Sequence, residues 1–178
     1  VTVFDRSVPR LRHLSDIFGN RISTRYSNNA SLAEAVIQAD MVIGAVLVPG
    51  ASAPKLVSKA QLATMKPGAV LVDVAIDQGG CFETSRPTTH TNPTFRIDDI
   101  IHYCVANMPG AVARTSTFAL TNATLPFISK VATSGISALR KDHHLLAGLN
   151  IHKGSVTCKA VSETLGCDYL APEDAISD

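Results

Sequence analysis

The chain has 178 residues, enough for one domain or for one domain and part of a second at roughly 100–200 residues each. With 46% hydrophobic and 17% charged residues it has an ordinary globular balance, which excludes a disordered or collagen-like chain. A net charge of +1 gives no electrostatic case for nucleic acid or a membrane surface as a partner.

In chain order, Val1-Thr-Val-Phe-Asp5 is an alternating, β-branched run that reads as a strand entered partway through a fold. Ser7 then caps a predicted helix with Pro9 in its first turn, an apolar stripe of Leu11, Leu14, Ile17 and Phe18, and a stop at Gly19-Asn20. Arg21 to Tyr26 is a short strand candidate, and Ser31 with Glu34 makes a capping box for a helix from Leu32 to Ala39. Met41 to Val48 is a buried strand closed by Pro49-Gly50. Ser58 and Gln61 open a short helix that runs to Met65.

Lys66-Pro67-Gly68 leads into Ala69 to Val74, an almost unbroken apolar run expected to be covered on both faces of a parallel sheet. Asp77, Gln78, Gly79 and Gly80 follow directly. Ligands of open parallel sheets bind beyond the carboxyl ends of the strands, so Asp77 is a functional candidate; a turn residue ending the strand is the other reading. Gly80 to Asn92 reads as a polar loop, and Ile100 to Val105 as a further strand ending in Asn107-Met108-Pro109-Gly110. A long helix with Pro126 inside it is predicted over Thr115 to Thr133, and another after Gly135 up to about Ala147. The last helix is predicted from Ser155 to Leu165, with Val156, Ala160, Val161 and Leu165 inward and Gly166 as its stop. The β, α, β, α, β, α, β order implies a doubly wound α/β sheet with right-handed crossovers.

Cys81, Cys104, Cys158 and Cys167 have neither a CxxC pair nor a zinc-type spacing, which implies reduced thiols and no metal site. No apolar run reaches the roughly 18 residues a bilayer requires and no signal segment is evident, so the expectation is a soluble, cytoplasmic protein. The histidines His13, His90, His102, His143, His144 and His152 have no nucleophile partner at a telling spacing. Asp5 has the position and type of the ribose-binding acid of a dinucleotide fold, or of a plain turn residue; no GxGxxG occurs in the chain. Val46 and Leu47 end a strand at the ligand-binding edge, or simply lie under the following loop.

Longer words are more specific. Ile43-Gly-Ala-Val-Leu-Val-Pro-Gly50, Met65-Lys-Pro-Gly-Ala-Val-Leu-Val-Asp73, Ala75-Ile-Asp-Gln-Gly-Gly-Cys-Phe-Glu83, Ser85-Arg-Pro-Thr-Thr89, Val105-Ala-Asn-Met-Pro-Gly110 and Thr115-Ser-Thr-Phe-Ala-Leu-Thr-Asn122 together resemble the NAD-dependent L-alanine dehydrogenase family. The resemblance covers the carboxyl-terminal half of that family's chain. It implies a Rossmann-type doubly wound sheet lacking its first strand and Gly-rich loop over residues 1–112, then helices of a substrate domain over 113–178, with an unpaired edge beside Val1 to Phe4. By the same resemblance, Asp5 holds the adenosine ribose of NAD with Arg10 and Ser27 nearby, and Val46 and Leu47 line the adenine side. Val74, Ala75, Ile76, Asp77, Arg86, Val105, Ala106, Asn107 and Met108 surround the nicotinamide end, with Asp77 as the catalytic aspartate.

The implied reaction is reversible oxidative deamination of L-alanine to pyruvate and ammonia. The implied partners are the missing amino-terminal half, which carries the catalytic histidine and the carboxylate-gripping lysine and arginine, and further copies in a homo-oligomer, typically a hexamer. Two other readings remain: a non-catalytic nucleotide-binding or assembly module, and a nicotinamide nucleotide transhydrogenase domain. The Asp77-Gln-Gly-Gly-Cys81 and Ser85-Arg-Pro-Thr-Thr89 words favour the dehydrogenase over the latter.

Overall fold

A computed structural model describes residues 1–46, 48 and 52–177. They form two compact units, 1–46 with 52–106 and Val48 with 107–177. The first contains β1 (Thr2–Asp5), α1 (Val8–Phe18), β2 (Ser23–Tyr26), α2 (Asn29–Gln38), β3 (Met41–Gly44), α3 (Lys59–Leu62), β4 (Val70–Asp73), β5 (Thr94–Ile97) and β6 (Ile100–Tyr103). β1 and β2 form a parallel pair, and a second sheet has the order β3-β4-β6-β5, parallel except for β5. This is α/β architecture of the doubly wound type. In the order 3-2-1-4-5-6, β1 and β2 correspond to strands 2 and 3 and β3, β4 and β6 to strands 4, 5 and 6, which leaves the place of strand 1 open.

Local chemistry sets the helix starts. Ser7 accepts from the Arg10 N–H, as expected of a cap, but Leu11 alone of the α1 stripe is buried, with Ile17 53% exposed. The capping box of α2 is formed by Asn28 and Ser31, not by Ser31 and Glu34: Asn28 Oδ1 accepts from the Ser31 N–H at 2.8 Å and Ser31 Oγ from the Asn28 N–H at 3.1 Å. Asn is a strong N-cap, and the earlier start leaves Glu34 free to pair with Arg25 of β2 at 2.7 Å. The Ser58–Gln61 box opens α3 as expected, though the helix ends at Leu62, short of Met65.

β5 was not legible as a strand. Asp98 and Asp99, both at positive φ, make a two-residue turn that folds Thr94–Ile97 back onto Ile100–Tyr103. The sheet is also not covered evenly. Val42, Gly44, Leu71, Asp73, Ile100 and His102 share one face by register, and all but the half-buried Val42 are buried. Met41, Ile43, Val70, Val72, Ile101 and Tyr103 share the other, and none is buried. The expectation of strands covered on both faces therefore fails for β3 and β4. The core instead sits on the closed face, where Val36, Leu62, Met65 and Phe82 meet Leu71 and Ile100.

The second unit holds α4 (Ala113–Ser134), α5 (Ile136–Lys141), α6 (His143–Ala147), β7 (Ile151–His152), β8 (Ser155–Val156), α7 (Lys159–Leu165) and α8 (Pro172–Ala175). The single helix expected after Gly135 is broken at Asp142, whose carboxylate accepts from the His144 and Leu145 N–H groups and pairs with Lys130 at 2.8 Å. Residues Ser155 and Val156 form a hairpin with Ile151–His152 rather than the start of the last helix, because Lys153 and Gly154 at positive φ turn the chain. Gly166 ends α7 in the left-handed region as expected, but Leu165 is 70% exposed. Ala138, Leu139 and Ile176 make a small core with Leu145, Leu146 and Leu149, tied by the Arg140 guanidinium to the Ile176 carbonyl. Among the described residues no helix is long and apolar enough to cross a membrane, and no group of His, Cys, Asp and Glu is arranged to hold a metal ion.

Candidate active site

β3, β4 and β6 run the same way, so Gly44, Asp73 and Tyr103 end on one edge of the sheet. At the tip of β4 the chain passes through Val74, whose N–H donates to the Gly44 carbonyl at 2.8 Å, into a single 3₁₀ turn, Ile76–Gln78. Ala75 and Ile76 are buried and anchor that turn, while Val74 and Asp77 are exposed. Gly79 and Gly80 follow at φ +85° and +78°, a conformation costly for residues with a Cβ. Their carbonyls both accept from Lys55 Nζ, at 2.5 and 2.8 Å. Asp77 is thus a solvent-facing carboxylate on a fixed turn.

Beyond the glycines the chain lies across the strand tips. On one side the Leu56 N–H donates to the Cys81 carbonyl and the Glu83 N–H to the Val57 carbonyl; on the other, the Thr88 N–H donates to the Cys104 carbonyl and the Ala106 N–H to the Thr88 carbonyl. Beneath this loop lies Asp73, fully buried. Its Oδ2 accepts from the Cys81 N–H at 2.8 Å, the Phe82 N–H at 3.3 Å and the Ser85 hydroxyl at 2.5 Å, while Oδ1 is buried with no hydrogen-bond partner among the described residues. Burial pushes the thiols of Cys81 and Cys104 up from the ordinary range, and the negative charge of Asp73 adds to this.

His102 closes the far end of the loop. Its Nδ1 lies 3.2 Å from the Ile100 carbonyl and its Nε2 2.7 Å from the Thr84 hydroxyl. A carbonyl only accepts, so the neutral ring carries its proton on Nδ1 and Nε2 accepts from Thr84. Burial holds the imidazole below its usual value, and the nearby Arg86 charge acts in the same direction. The ring stacks on Phe95 at 4.7 Å, and the Arg86 guanidinium lies over the other partner of that stack, 4.1 Å from the Phe95 centroid. Arg86, on the loop that follows Asp77, is therefore held over the Phe95 ring of β5.

The other expected residues fall as follows. Asp5 ends β1 half-buried, with Oδ1 accepting from the Ser7 N–H at 2.7 Å and its carbonyl accepting from the Ser27 N–H at 3.0 Å, which brings Asp5 and Ser27 together. Arg10 is exposed on the first turn of α1. Val46 is half-buried, its backbone within hydrogen-bonding reach of the Cys81 thiol. Leu47 lies outside the described residues. Val105 is buried and Ala106 exposed at the end of β6, paired through Val105 with Thr88. Asn107, at φ +58°, precedes the 3₁₀ turn Met108–Val112 of the second unit, and Met108 is the first residue of that turn. Sequence reasoning did not single out Asp73, Ser85, Lys55 or His102. A carboxylate inside an otherwise apolar strand was the available signal for Asp73.

The profile of the family described as "Alanine dehydrogenase/PNT, C-terminal domain" matches residues 1–159. An alanine dehydrogenase of Halomonas elongata is 60% identical over 171 residues, covering 96% of this chain and 46% of the relative, so the chain spans about half the length of the curated relatives it matches. A solved L-alanine dehydrogenase superposes with a TM-score of 0.83 at 48% identity, over 93% of this chain and 46% of that one. A transhydrogenase from Sinorhizobium meliloti gives a TM-score of 0.69 at 22% identity over 90% of this chain and 42% of that one, a likeness of fold alone. The chain belongs to the alanine dehydrogenase/PNT carboxyl-terminal domain family.

Proposed function

We propose that this chain is the carboxyl-terminal part of an alanine dehydrogenase that converts L-alanine reversibly to pyruvate and ammonia with NAD as cofactor. The observation that carries the reading is the exposed Asp77 carboxylate on a rigid turn at the carboxyl edge of a doubly wound sheet. The donor set suits two ends of a dinucleotide. Asp5, at the tip of β1 with one oxygen committed to Ser7, is of the type that takes a ribose hydroxyl, with Ser27 beside it, Arg10 on the next helix and Val46 toward the base. The backbone of Val74, Ala75, Ile76, Val105 and Ala106, with Arg86 on its aromatic platform, forms the nicotinamide side. Among the described residues no glycine-rich turn opens a helix to receive the pyrophosphate, so that part of the grip falls to the half of the family chain not covered here.

When bound, NAD supplies the acceptor for the hydride on the alanine Cα. Asp77 faces the resulting positive charge on the iminium carbon and nitrogen, lowers its energy, and orients the attacking water while taking its proton. The residues that grip the substrate carboxylate, the histidine acid/base and the strand between β1 and β3 belong to the amino-terminal half, and assembly into a cytoplasmic homo-oligomer, a hexamer by family, completes the enzyme. Residues 1–112 form the nucleotide domain and 113–178 the helices returning to the substrate domain.

The test joins this chain to the amino-terminal half of the Halomonas elongata relative and follows alanine-dependent NADH formation. Asp77→Asn is expected to lower kcat by about a hundredfold or more. Full turnover in that variant would remove Asp77 from the chemistry. Calorimetry of the chain by itself with NADH is expected to show binding much weaker than in the joined protein.

A further inference from the structure

We propose that Asp73 is a positioning residue for the reaction: its buried carboxylate fixes the loop from Gly79 to Arg86 and so sets the places of Asp77 and Arg86. The inference rests on the reading of Asp77 as the catalytic carboxylate. All three donors to Oδ2 come from the loop, Cys81 and Phe82 through their N–H groups and Ser85 through its hydroxyl. Ser85 directly precedes Arg86, and the glycines directly follow the turn that carries Asp77. The fit is tight: a Cβ on Gly80 would lie 2.5 Å from Asp73 Oδ2 and 2.8 Å from Ser85 Cβ.

A buried carboxylate with one oxygen unpaired among the described residues is a poor device for stability, since an apolar group of similar size avoids its desolvation. What the carboxylate offers and an apolar side chain cannot is a single point to which three separated donors converge. The loop also has backbone pairings to Leu56, Val57 and Cys104 that do not involve Asp73. Removing the carboxylate therefore leaves the loop attached, with Lys55 still on the Gly79 and Gly80 carbonyls and the Ala53 N–H on the Gln78 carbonyl, but loosens the stretch from Gly80 to Arg86 that follows the Asp77 turn, where a displacement of an ångström at a reacting group costs up to about a hundredfold in rate.

In the joined protein, Asp73→Ala is expected to lower kcat roughly tenfold to a hundredfold while the KM for L-alanine changes less than about threefold. Asp73→Asn, whose amide oxygen can accept from the same donors, is expected to restore most of the loss. In the chain alone, peptide-resolved alkylation by iodoacetamide is expected to speed up at Cys81 in Asp73→Ala and to stay unchanged at Cys158 of the second unit. Undiminished kcat in Asp73→Ala, with Asp77→Asn inactive, overturns the proposal and leaves the proposed function standing. Full activity in Asp77→Asn removes Asp77 from the chemistry instead, and Cys81 then decides the anchor: unchanged protection in Asp73→Ala overturns it. If Asp73→Ala does not fold, Ser85→Ala replaces it. A lower kcat at an unchanged melting temperature supports positioning, and a lower melting temperature at unchanged kcat makes the cluster merely structural and overturns it.

Discussion

The two faces of the four-stranded sheet are built from the same strands and nearly the same residue types, yet they end differently. On one, Leu71, Asp73, Ile100 and His102 are almost wholly excluded from solvent; on the other, Met41 is 56% and Ile43 61% exposed. Apolar character does not separate them, since the open face has the more uniformly aliphatic register. What separates them is a covering segment. Residues 79–88 fold back across the tips on the closed side, bring Phe82 into the core and bind the two polar side chains there, Asp73 and His102, at their heteroatoms. The closed face is thus the face this chain completes with its own residues.

The largest expected effect tests that completion. Phe82 is 1% exposed and packs with Leu62, Leu71 and Ile100, so Phe82→Ala should cost about 3–5 kcal/mol in urea unfolding. A cost below about 1 kcal/mol would mean the loop is not part of the core. The glycine pair gives a finer contrast. Gly79 and Gly80 share the left-handed conformation, but a Cβ on Gly79 meets nothing within 4 Å whereas one on Gly80 strikes Asp73. Gly79→Ala should cost about 1–2 kcal/mol from backbone strain, and Gly80→Ala clearly more, with faster Cys81 alkylation as its signature. Equal costs would place no tight contact at Gly80.

pH probes the same face more gently. His102 is neutral when folded, its value depressed first by burial, so between that value and the unfolded value of 6.5 the unfolded chain binds the extra proton. Stability is therefore full above about pH 6.5 and falls as the pH drops through the folded value. Above pH 9 the sign reverses for the thiols: Cys81 and Cys104 are held protonated by burial while the unfolded thiols ionise, and stability falls as the pH rises. Thermal melts across this range should show both losses, and His102→Phe should flatten the acid limb. An unchanged acid limb in that variant would mean that other groups carry it.

How much of this was legible in the sequence follows the same division. The parallel strands, the Ser7 and Ser58 caps and the Asp77 turn could be read because each depends on residues within one turn or one strand. β5 was missed because its signal, Asp98-Asp99 between Ile97 and Ile100, is a turn at positive φ made by residues that are not glycine. Asp73 was passed over inside an apolar run because its partners lie eight to twelve residues further on. His102 lies within the Ile100–Val105 strand run, and a tautomer fixed by Thr84 depends on a loop whose path no local pattern specifies. The uneven covering of the sheet was illegible for a simpler reason: a strand's composition states that it wants two covers and not which chain supplies them.

The smallest expected effect lies on the open face, and it has the most to say about the missing cover. Ile43 points away from the core and is 61% exposed, so in this chain Ile43→Thr removes little buried area and should change stability by no more than about 0.5 kcal/mol. On the proposed reading, the joined amino-terminal half would set the family fold's first strand and following helix against β3 and shield Ile43. The same substitution there would strip apolar contact and bury a hydroxyl, at a cost of about 1–3 kcal/mol. The comparison needs only urea unfolding of the two proteins with and without the substitution. Unequal costs would show that the cover comes from outside this chain, and equal small costs would show that the open face is solvent-facing in the joined protein too.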